Sequence, residues 1–233
     1  MLTNLAILAD EGRPDDVGDP SAGAPLARGW QAGVVPTVGL LLAAGAGRRM
    51  GGPKALVRPG DDAPTLLETA LARLHAAGLA RVVVVLGASA EAARPSAEAA
   101  GAEVVVADDW ATGMGASLRA GLGHLAHTTD DDAALVTLVD LLDVDERVHR
   151  RVLGAAQGPT ALVRAAYDGT PGHPVLLGRD HWAGAAGTAH GDRGARDYLR
   201  SHAPVLVECG DLATGRDADT PDALGAGPGA QPG

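Results

Sequence analysis

A cluster of glycines and cations between residues 45 and 54 is the part of the sequence best suited to bind a charged ligand. It follows the apolar run Val38–Ala44 and contains four glycines and three cations: Gly45, Gly47, Arg48, Arg49, Gly51, Gly52 and Lys54. Glycine adopts positive φ and leaves backbone amides uncovered, so a glycine-rich loop after a strand can form a concave anion site. Lys54 is the only lysine among nineteen cations, which favours a compact point charge at this position. These residue types predict a polyphosphate site.

The spacing of the cluster differs from two common nucleotide-binding motifs. A Walker A motif needs glycine before its lysine and a hydroxyl after it, whereas Pro53 and Ala55 flank Lys54. The dinucleotide motif Gly-x-Gly-x-x-Gly does not fit, because one extra residue separates Gly47 from Gly51. An ordinary strand-to-helix turn with solvated arginines is the structural alternative.

A carboxylate follows a second apolar run. Ala133–Val139 is typical of a buried strand and ends at Asp140. In a parallel sheet Asp140 and the glycine-rich cluster would lie at the same edge, where α/β proteins bind ligands. Because Mg²⁺ prefers one or two carboxylates together with substrate phosphates, Asp140 is the first predicted metal ligand. The alternative is that Asp140 caps the following helix.

Strand and helix patterns alternate along the chain and predict the elements that must position these groups. Strands are predicted at Val38–Ala44, Arg81–Leu86, Glu103–Ala107, Ala133–Val139, Thr160–Ala166, within Gly172–Gly178 and at Pro204–Cys209. Thr65 and Glu68 form a capping-box pattern at the start of a helix. We expect a short helix interrupted by Pro95, a helix opened by Ser117 and an amphipathic helix over 143–157. The pattern predicts an α/β fold with parallel strands.

Length and composition restrict the function classes. A chain of 233 residues suits one large α/β domain, expected over residues 37–224, with a partly disordered extension at 1–36 and a disordered tail at 225–233. The net charge of −10 argues against nucleic acid as a partner. The single Cys209 excludes an internal disulfide and a cysteine zinc site. No targeting signal or membrane-length apolar run is visible, so a cytoplasmic protein without a membrane partner is expected.

The segment Leu42–Lys54, LAAGAGRRMGGPK, resembles the LAAGxGxRMGxxK motif of the MobA/MocA-like nucleotidyltransferases, which transfer a nucleotide onto the molybdenum cofactor. The later segments GMGASL, GHPVLL, GDRGAR and DADTP follow in the order of the family and resemble its MocA branch. The resemblance covers about residues 38–224. It implies a three-layer α/β/α Rossmann-like nucleotidyltransferase fold, of the nucleotide-diphospho-sugar transferase type, with a mainly parallel mixed sheet.

The resemblance also implies roles for individual residues. Lys54, Arg49 and Asp140 form the expected catalytic set. Asp140 and Asp219 are the expected magnesium ligands, with Asp217 as the alternative to Asp219. The residues expected to hold the nucleotide and the cofactor substrate are Leu42, Ala43, Ala44, Gly45, Gly47, Arg48, Gly87, Gly113, Ser117 and His173.

Three of the matching residues keep a structural alternative. Ser117 is expected beside the base or ribose, but a serine at this place could instead cap a helix. His173 could contact the acceptor phosphate, although a lone histidine in a turn is more often structural or solvated. Arg193 could meet an anionic acceptor or pair with Asp197 within a helix.

The chain departs from the family pattern directly after Asp140. The family usually has a polar residue and proline there, whereas this chain has Leu141 and Leu142. The carboxylate is kept, but a polar contact beside it is lost and the loop lacks the rigidity that proline would give. This difference bears on substrate identity and catalytic competence.

The resemblance implies an Mg²⁺-dependent nucleotidyltransferase that transfers a nucleoside monophosphate from CTP, or another nucleoside triphosphate, to the terminal phosphate of molybdopterin. A molybdenum hydroxylase or its maturation factor would be the protein partner. Two alternatives stay open. The first is nucleotidyl transfer to another phosphorylated acceptor, such as a sugar phosphate, or with GTP as the nucleotide donor. The second is binding of nucleotide or cofactor without catalysis.

Overall fold

The computed structural model describes residues 35–218 and Thr220. The expected N-terminal extension up to residue 34, Asp219 and the expected tail at 225–233 lie outside the described residues.

The described part of the chain forms seven strands and six α-helices. The strands are β1 (Thr37–Leu42), β2 (Val82–Leu86), β3 (Glu103–Val106), β4 (Ala133–Leu138), β5 (Leu162–Tyr167), β6 (Thr170–Gly178) and β7 (Val205–Glu208). The helices are α1 (Leu66–Ala76), α2 (Ala90–Ala99), α3 (Met114–Thr128), α4 (Glu146–Leu153), α5 (Arg179–Thr188) and α6 (Arg196–His202).

The strands form one sheet in the order β3-β2-β1-β4-β6-β5-β7. Strand β6 runs antiparallel to its neighbours β4 and β5, and the other pairs are parallel. The mainly parallel mixed sheet is therefore confirmed, while an all-parallel arrangement is wrong at β6. The physical reason is the short turn between β5 and β6, because only a hairpin can join neighbouring strands through two residues.

Helices cover both faces of the sheet and give the expected α/β/α layers. Helices α1, α2 and α4 pack on one face, and α3, α5 and α6 pack on the other. Side chains alternate along β1 as the period of two requires, with Leu41 in the first core and Leu40 and Leu42 in the second. Both cores depend on leucine, valine and alanine, which agrees with a chain that lacks phenylalanine.

The capping box predicted at the start of α1 is present. The Glu68 amide donates to Thr65 Oγ1 at 3.1 Å, and the Thr65 amide donates to Glu68 Oε2 at 2.7 Å. These contacts satisfy two amides that a helix start otherwise leaves without an acceptor. A short-range sequence signal was sufficient here.

Other predicted helix boundaries are wrong. Helix α2 continues through Pro95, because its Ala93 and Ala97 pack into the core and tertiary packing overrides local propensity. Helix α3 begins at Met114 rather than at Ser117, and α4 is limited to eight residues after Asp145 caps its start. Helix α5 was not predicted, since its glycine- and alanine-rich sequence has little helical periodicity.

The helices of the described chain do not include one with the length and apolarity needed to cross a bilayer.

A buried histidine makes the stability of this fold depend on pH. His149 on α4 is 2 % exposed, and neither ring nitrogen has a hydrogen-bond partner among the described residues. Burial, and then the positive charge of Arg73, lower the pKa of His149 from 6.5 to about 4. Because the unfolded chain binds this proton more tightly, acidification favours unfolding.

We expect the free energy of unfolding to fall by up to about 3 kcal/mol through His149 as the pH drops from 6.5 to 4. His149→Leu should remove most of this pH dependence, whereas His127→Leu, at an exposed position of α3, should retain it. Urea unfolding at a series of pH values measures both. Equal pH profiles for wild type and His149→Leu would contradict the assignment.

Candidate functional site

The glycine-rich loop after β1 forms an amide-lined hollow. Gly47 has φ +56° and accepts hydrogen bonds from the amides of Met50 (2.8 Å) and Gly52 (3.3 Å). A Cβ atom on Gly47 would lie 1.9 Å from the Gly52 carbonyl oxygen, so only glycine fits. Within the described chain, the amides of Gly45, Ala46 and Gly47 donate to no acceptor. Successive uncovered amides of this kind attract an anion.

Lys54 and Asp140 meet at the edge of the sheet. Lys54 begins a single turn of 3₁₀-helix, which the fully buried Ala55 anchors. Asp140 follows β4, which pairs in parallel with β1, so the carboxyl ends of both strands adjoin at Leu42 and Leu138. The Lys54 Nζ atom lies 2.6 Å from Asp140 Oδ2. The tertiary structure thus brings together two groups that are 86 residues apart.

Burial and charge act in opposite directions on Asp140, whose side chain is only 14 % exposed. Burial raises the pKa of Asp140, the Lys54 ammonium lowers it, and the charge of Asp217 raises it again. The net result is a pKa of Asp140 above its usual value. A second positive charge at Asp140 would relieve both the burial cost and the repulsion from Asp217.

The loop and Lys54 form the wall of a cavity of about 390 Å³. Ten of the residues predicted from the sequence line this cavity: Leu42, Ala43, Ala44, Gly45, Gly47, Arg48, Lys54, Gly113, Ser117 and Asp140. Ser117 is buried in the second turn of α3, so it is not the helix cap that the alternative required. The volume is within the range of small-molecule sites.

Four predicted residues lie elsewhere or outside the described chain. Arg49 is exposed and does not line the cavity. Gly87 does not line the cavity, and a Cβ atom on it would lie 2.6 Å from the Trp110 side chain. His173 lines a second, adjoining cavity, and Asp219 lies outside the described residues.

Sequence reasoning missed three side chains that line the first cavity. Trp110 lies in the short turn before α3, Met114 is the first residue of α3, and Asp192 lies in the short turn before α6. Trp110 carried a usable signal, because aromatic residues make up only 2 % of this chain. Asp192 lies 52 residues beyond Asp140, and no local pattern links the two.

Asp217 and Ala218 lie beside Asp140. Leu141 and Asp217 form an antiparallel bridge, and the Ala218 amide donates to the Asp140 carbonyl at 2.9 Å. No group of three or more histidine, cysteine or acidic residues among the described ones could hold a metal ion. A buried carboxylate with a second acid beside it nevertheless fits Mg²⁺, which takes one or two carboxylates plus phosphate oxygens.

The dileucine that follows Asp140 is held by an arginine. Arg73 on α1 donates to the carbonyls of Leu141 (3.1 Å), Leu142 (2.8 Å) and Val144 (3.3 Å). Leu141 itself is buried in the core. The loop that lacks the proline of the family pattern is therefore fixed by hydrogen bonds from a neighbouring helix.

Gly47→Ala should weaken binding of a nucleoside triphosphate at least about tenfold, because the methyl group displaces the loop and redirects its amides. Calorimetric titration measures the affinity. Gly123→Ala on α3 is the control, since a Cβ atom there meets nothing within 4 Å. Unchanged affinity in a folded Gly47→Ala protein would show that the loop conformation is not required.

Arg73→Met should lower turnover about tenfold while nucleotide affinity changes little, because it releases the Asp140 loop and leaves the glycine-rich loop intact. Arg94→Met, at an exposed arginine of α2 that pairs with Glu98, is the matched control. Steady-state kinetics and a thermal melt separate this effect from unfolding. Wild-type turnover in Arg73→Met would contradict a positioning role.

Solved structures resemble this fold over most of the chain. Rv0371c of Mycobacterium tuberculosis H37Rv has a TM-score of 0.67 and 29 % identity, covering 81 % of this chain and 95 % of that one. A manganese complex of Rv0371c gives a TM-score of 0.59 and 27 % identity, covering 75 % and 87 %. A nucleotidyl transferase from Methanothermobacter thermautotrophicus (Mth528) shares the fold at a TM-score of 0.67 and 20 % identity, covering 80 % and 93 %.

Sequence comparison gives the family. Nicotine blue oxidoreductase of Paenarthrobacter nicotinovorans is 38 % identical over 192 residues, which cover 78 % of this chain and 91 % of the relative. The family model described as the MobA-like NTP transferase domain matches residues 39–205, which include the glycine-rich loop, Lys54 and Asp140. The chain therefore belongs to the MobA-like NTP transferase family and has the fold of its nucleotidyltransferases.

Proposed function

We propose that this protein transfers a nucleoside monophosphate from a nucleoside triphosphate, CTP in the first place, to the terminal phosphate of molybdopterin. The observation that carries the proposal is the 2.6 Å contact between Lys54 and Asp140 beside uncovered loop amides in one cavity. Family membership supports nucleotidyl transfer. The motif resemblance to the MocA branch supports CTP and molybdopterin.

The residues of the cavity suit this reaction through charge and position. The amides of Gly45, Ala46 and Gly47 bind the triphosphate, and Arg48 adds a mobile charge at the rim of the cavity. The acceptor phosphate attacks the α-phosphorus and pyrophosphate leaves. Lys54 offsets the charge that builds up on the oxygens of the α-phosphate. A phosphate monoester is largely ionised at neutral pH, its second pKa being about 6, so no general base is needed.

Asp140 would hold a divalent metal ion, with Asp217 or Asp219 as the second acid. Such an ion supplies charge neutralisation to the phosphates when it is bound. The manganese complex of the related Rv0371c supports divalent metal binding in this family. Before the metal arrives, Lys54 compensates the buried Asp140 carboxylate and keeps it in place.

The small-molecule partners of the protein are then the nucleotide and molybdopterin, and a molybdenum hydroxylase or its maturation factor would receive the product. A second candidate follows from the relative named nicotine blue oxidoreductase, which is 38 % identical. That identity favours including nicotine blue reduction among the activities to be measured.

One assay separates these functions. The protein is incubated with Mg²⁺ or Mn²⁺ and each of CTP, GTP, ATP and UTP, with and without molybdopterin, and pyrophosphate is measured. Pyrophosphate release that occurs only when both CTP and molybdopterin are present supports the proposal. Nucleotide binding without turnover would point to a binding protein. Reduction of nicotine blue by an added reductant, without pyrophosphate release, would favour an oxidoreductase.

Lys54→Met should lower pyrophosphate release at least about 100-fold, because the α-phosphate loses its nearest cationic donor. Arg58→Met, four residues further along and exposed, provides a control for the loss of one positive charge. Circular dichroism should show both variants folded. Near-normal turnover in Lys54→Met would refute the role of this ammonium group.

A further inference from the structure

A second cavity of about 250 Å³ adjoins the first, and its lining includes the three arginines Arg164, Arg193 and Arg196. The two cavities share wall residues, among them Leu42, Met114 and Leu138. Building on the transfer proposed above, we propose that this second cavity binds a second anionic group of the acceptor, recognised by Arg164 and Arg196. The acceptor class is then a phosphate monoester with another anionic group at its far end.

Arg164 is held in place by carbonyl groups and has no acid partner in the described part of the chain. It lies on β5, and its guanidinium donates to the carbonyls of Gly172 (Nε, 2.9 Å) and Pro171 (Nη2, 3.1 Å) across the β5–β6 hairpin. These contacts fix the orientation of the fork and leave Nη1 without a hydrogen bond to any described residue. Burial, and then the like charge of Arg196, lower the pKa of Arg164. A half-buried cation without an acid partner favours an anionic ligand.

Arg196 differs from the neighbouring arginines around α6. Arg193 and Arg200 each pair with Asp197 at 3.2 Å. The Arg196 side chain has no hydrogen bond or ion pair with a described residue, and it lines the same cavity as Arg164. Two guanidinium groups that line one cavity and have no acid partner among the described residues form a suitable site for a carboxylate or a phosphate.

The other polar groups of the cavity are arranged consistently with this assignment. His173 lies on β6 and lines this cavity, and burial, followed by the charges of Arg164 and Arg196, lowers its pKa to about 4. It is therefore neutral at pH 7 and can donate a hydrogen bond without adding charge. The two acids lie towards the first cavity, since Asp192 lines both cavities and Asp217 contacts Leu141 beside Asp140.

The sheet sets the distance between the two anion sites. Asp140 follows β4, whereas Arg164 lies on β5, with β6 between them. Neighbouring strands are about 4.8 Å apart, so β4 and β5, which carry the two sites, are about 10 Å apart across the sheet. A single acceptor can span this distance if its reacting phosphate and its second anionic group are joined by a flat or extended body. Leu118, Val136 and Leu177 provide the apolar wall along that path.

Direct binding tests this proposal without requiring turnover. The probes are 6-(phosphonooxy)hexanoate and its neutral amide, which have equal length and differ by one distal charge. Calorimetry should show the carboxylate binding at least about tenfold more tightly to the wild-type protein, as expected for one charge-assisted contact. Arg164→Met and Arg196→Met should reduce this preference to less than about twofold.

Arg200→Met is the matched control, because Arg200 is on the same helix but pairs with Asp197 and does not line the cavity. It should keep the preference for the carboxylate. Arg164→Met could loosen the β5–β6 hairpin, so Arg196→Met, which breaks no hydrogen bond, decides the question. Equal affinity of wild type for both probes, or a preference that survives Arg196→Met, overturns the proposal. Because this experiment measures binding and not nucleotide transfer, the preference for the carboxylate can be determined even if the pyrophosphate assay shows no activity.

Discussion

The contact between Lys54 and Asp140 is the interaction on which the site depends. Each group would be costly to bury alone, and their 2.6 Å approach offsets part of that cost while leaving both accessible from one cavity. The contact also connects the loop after β1 to the end of β4, which are the two central strands of the site. In the proposed function, a triphosphate would add negative charge beside Lys54 and a divalent ion would add positive charge beside Asp140.

Rigidity around this pair comes from backbone geometry. The left-handed conformation of Gly47 points the loop amides into the cavity, and Arg73 holds the carbonyls that follow Asp140. Neither device adds a reactive group. Both reduce the reorganisation that would otherwise accompany charge development on a phosphate, which is how enzymes of phosphoryl and nucleotidyl transfer obtain much of their rate.

In the proposed function, the first of the two adjoining cavities is the place of reaction and the second selects the acceptor. The first contains the glycine-rich loop, Lys54 and Asp140, and the second contains Arg164, Arg196 and His173. The antiparallel strand β6 separates their anchoring strands. A net charge of −10 would repel an anionic substrate at long range. Cations such as Arg164 and Arg196, which have no acid partner among the described residues, would therefore determine where such a substrate can bind.

The sequence by itself determined the α/β class, the capping box of α1 and the glycine-rich loop. It also determined that Lys54 and Asp140 lie at the same edge of the sheet. These features depend on short-range patterns and on the rule that parallel strands end at one edge. It did not determine the antiparallel direction of β6, helix α5, or the roles of Trp110, Asp192 and Arg73. Those depend on contacts between residues far apart in the chain, for which no local spacing exists. Only the tertiary structure could decide which of the arginines between residues 35 and 218 lack an acid partner there, because pairing is set by the packing of helices and strands and not by residue type.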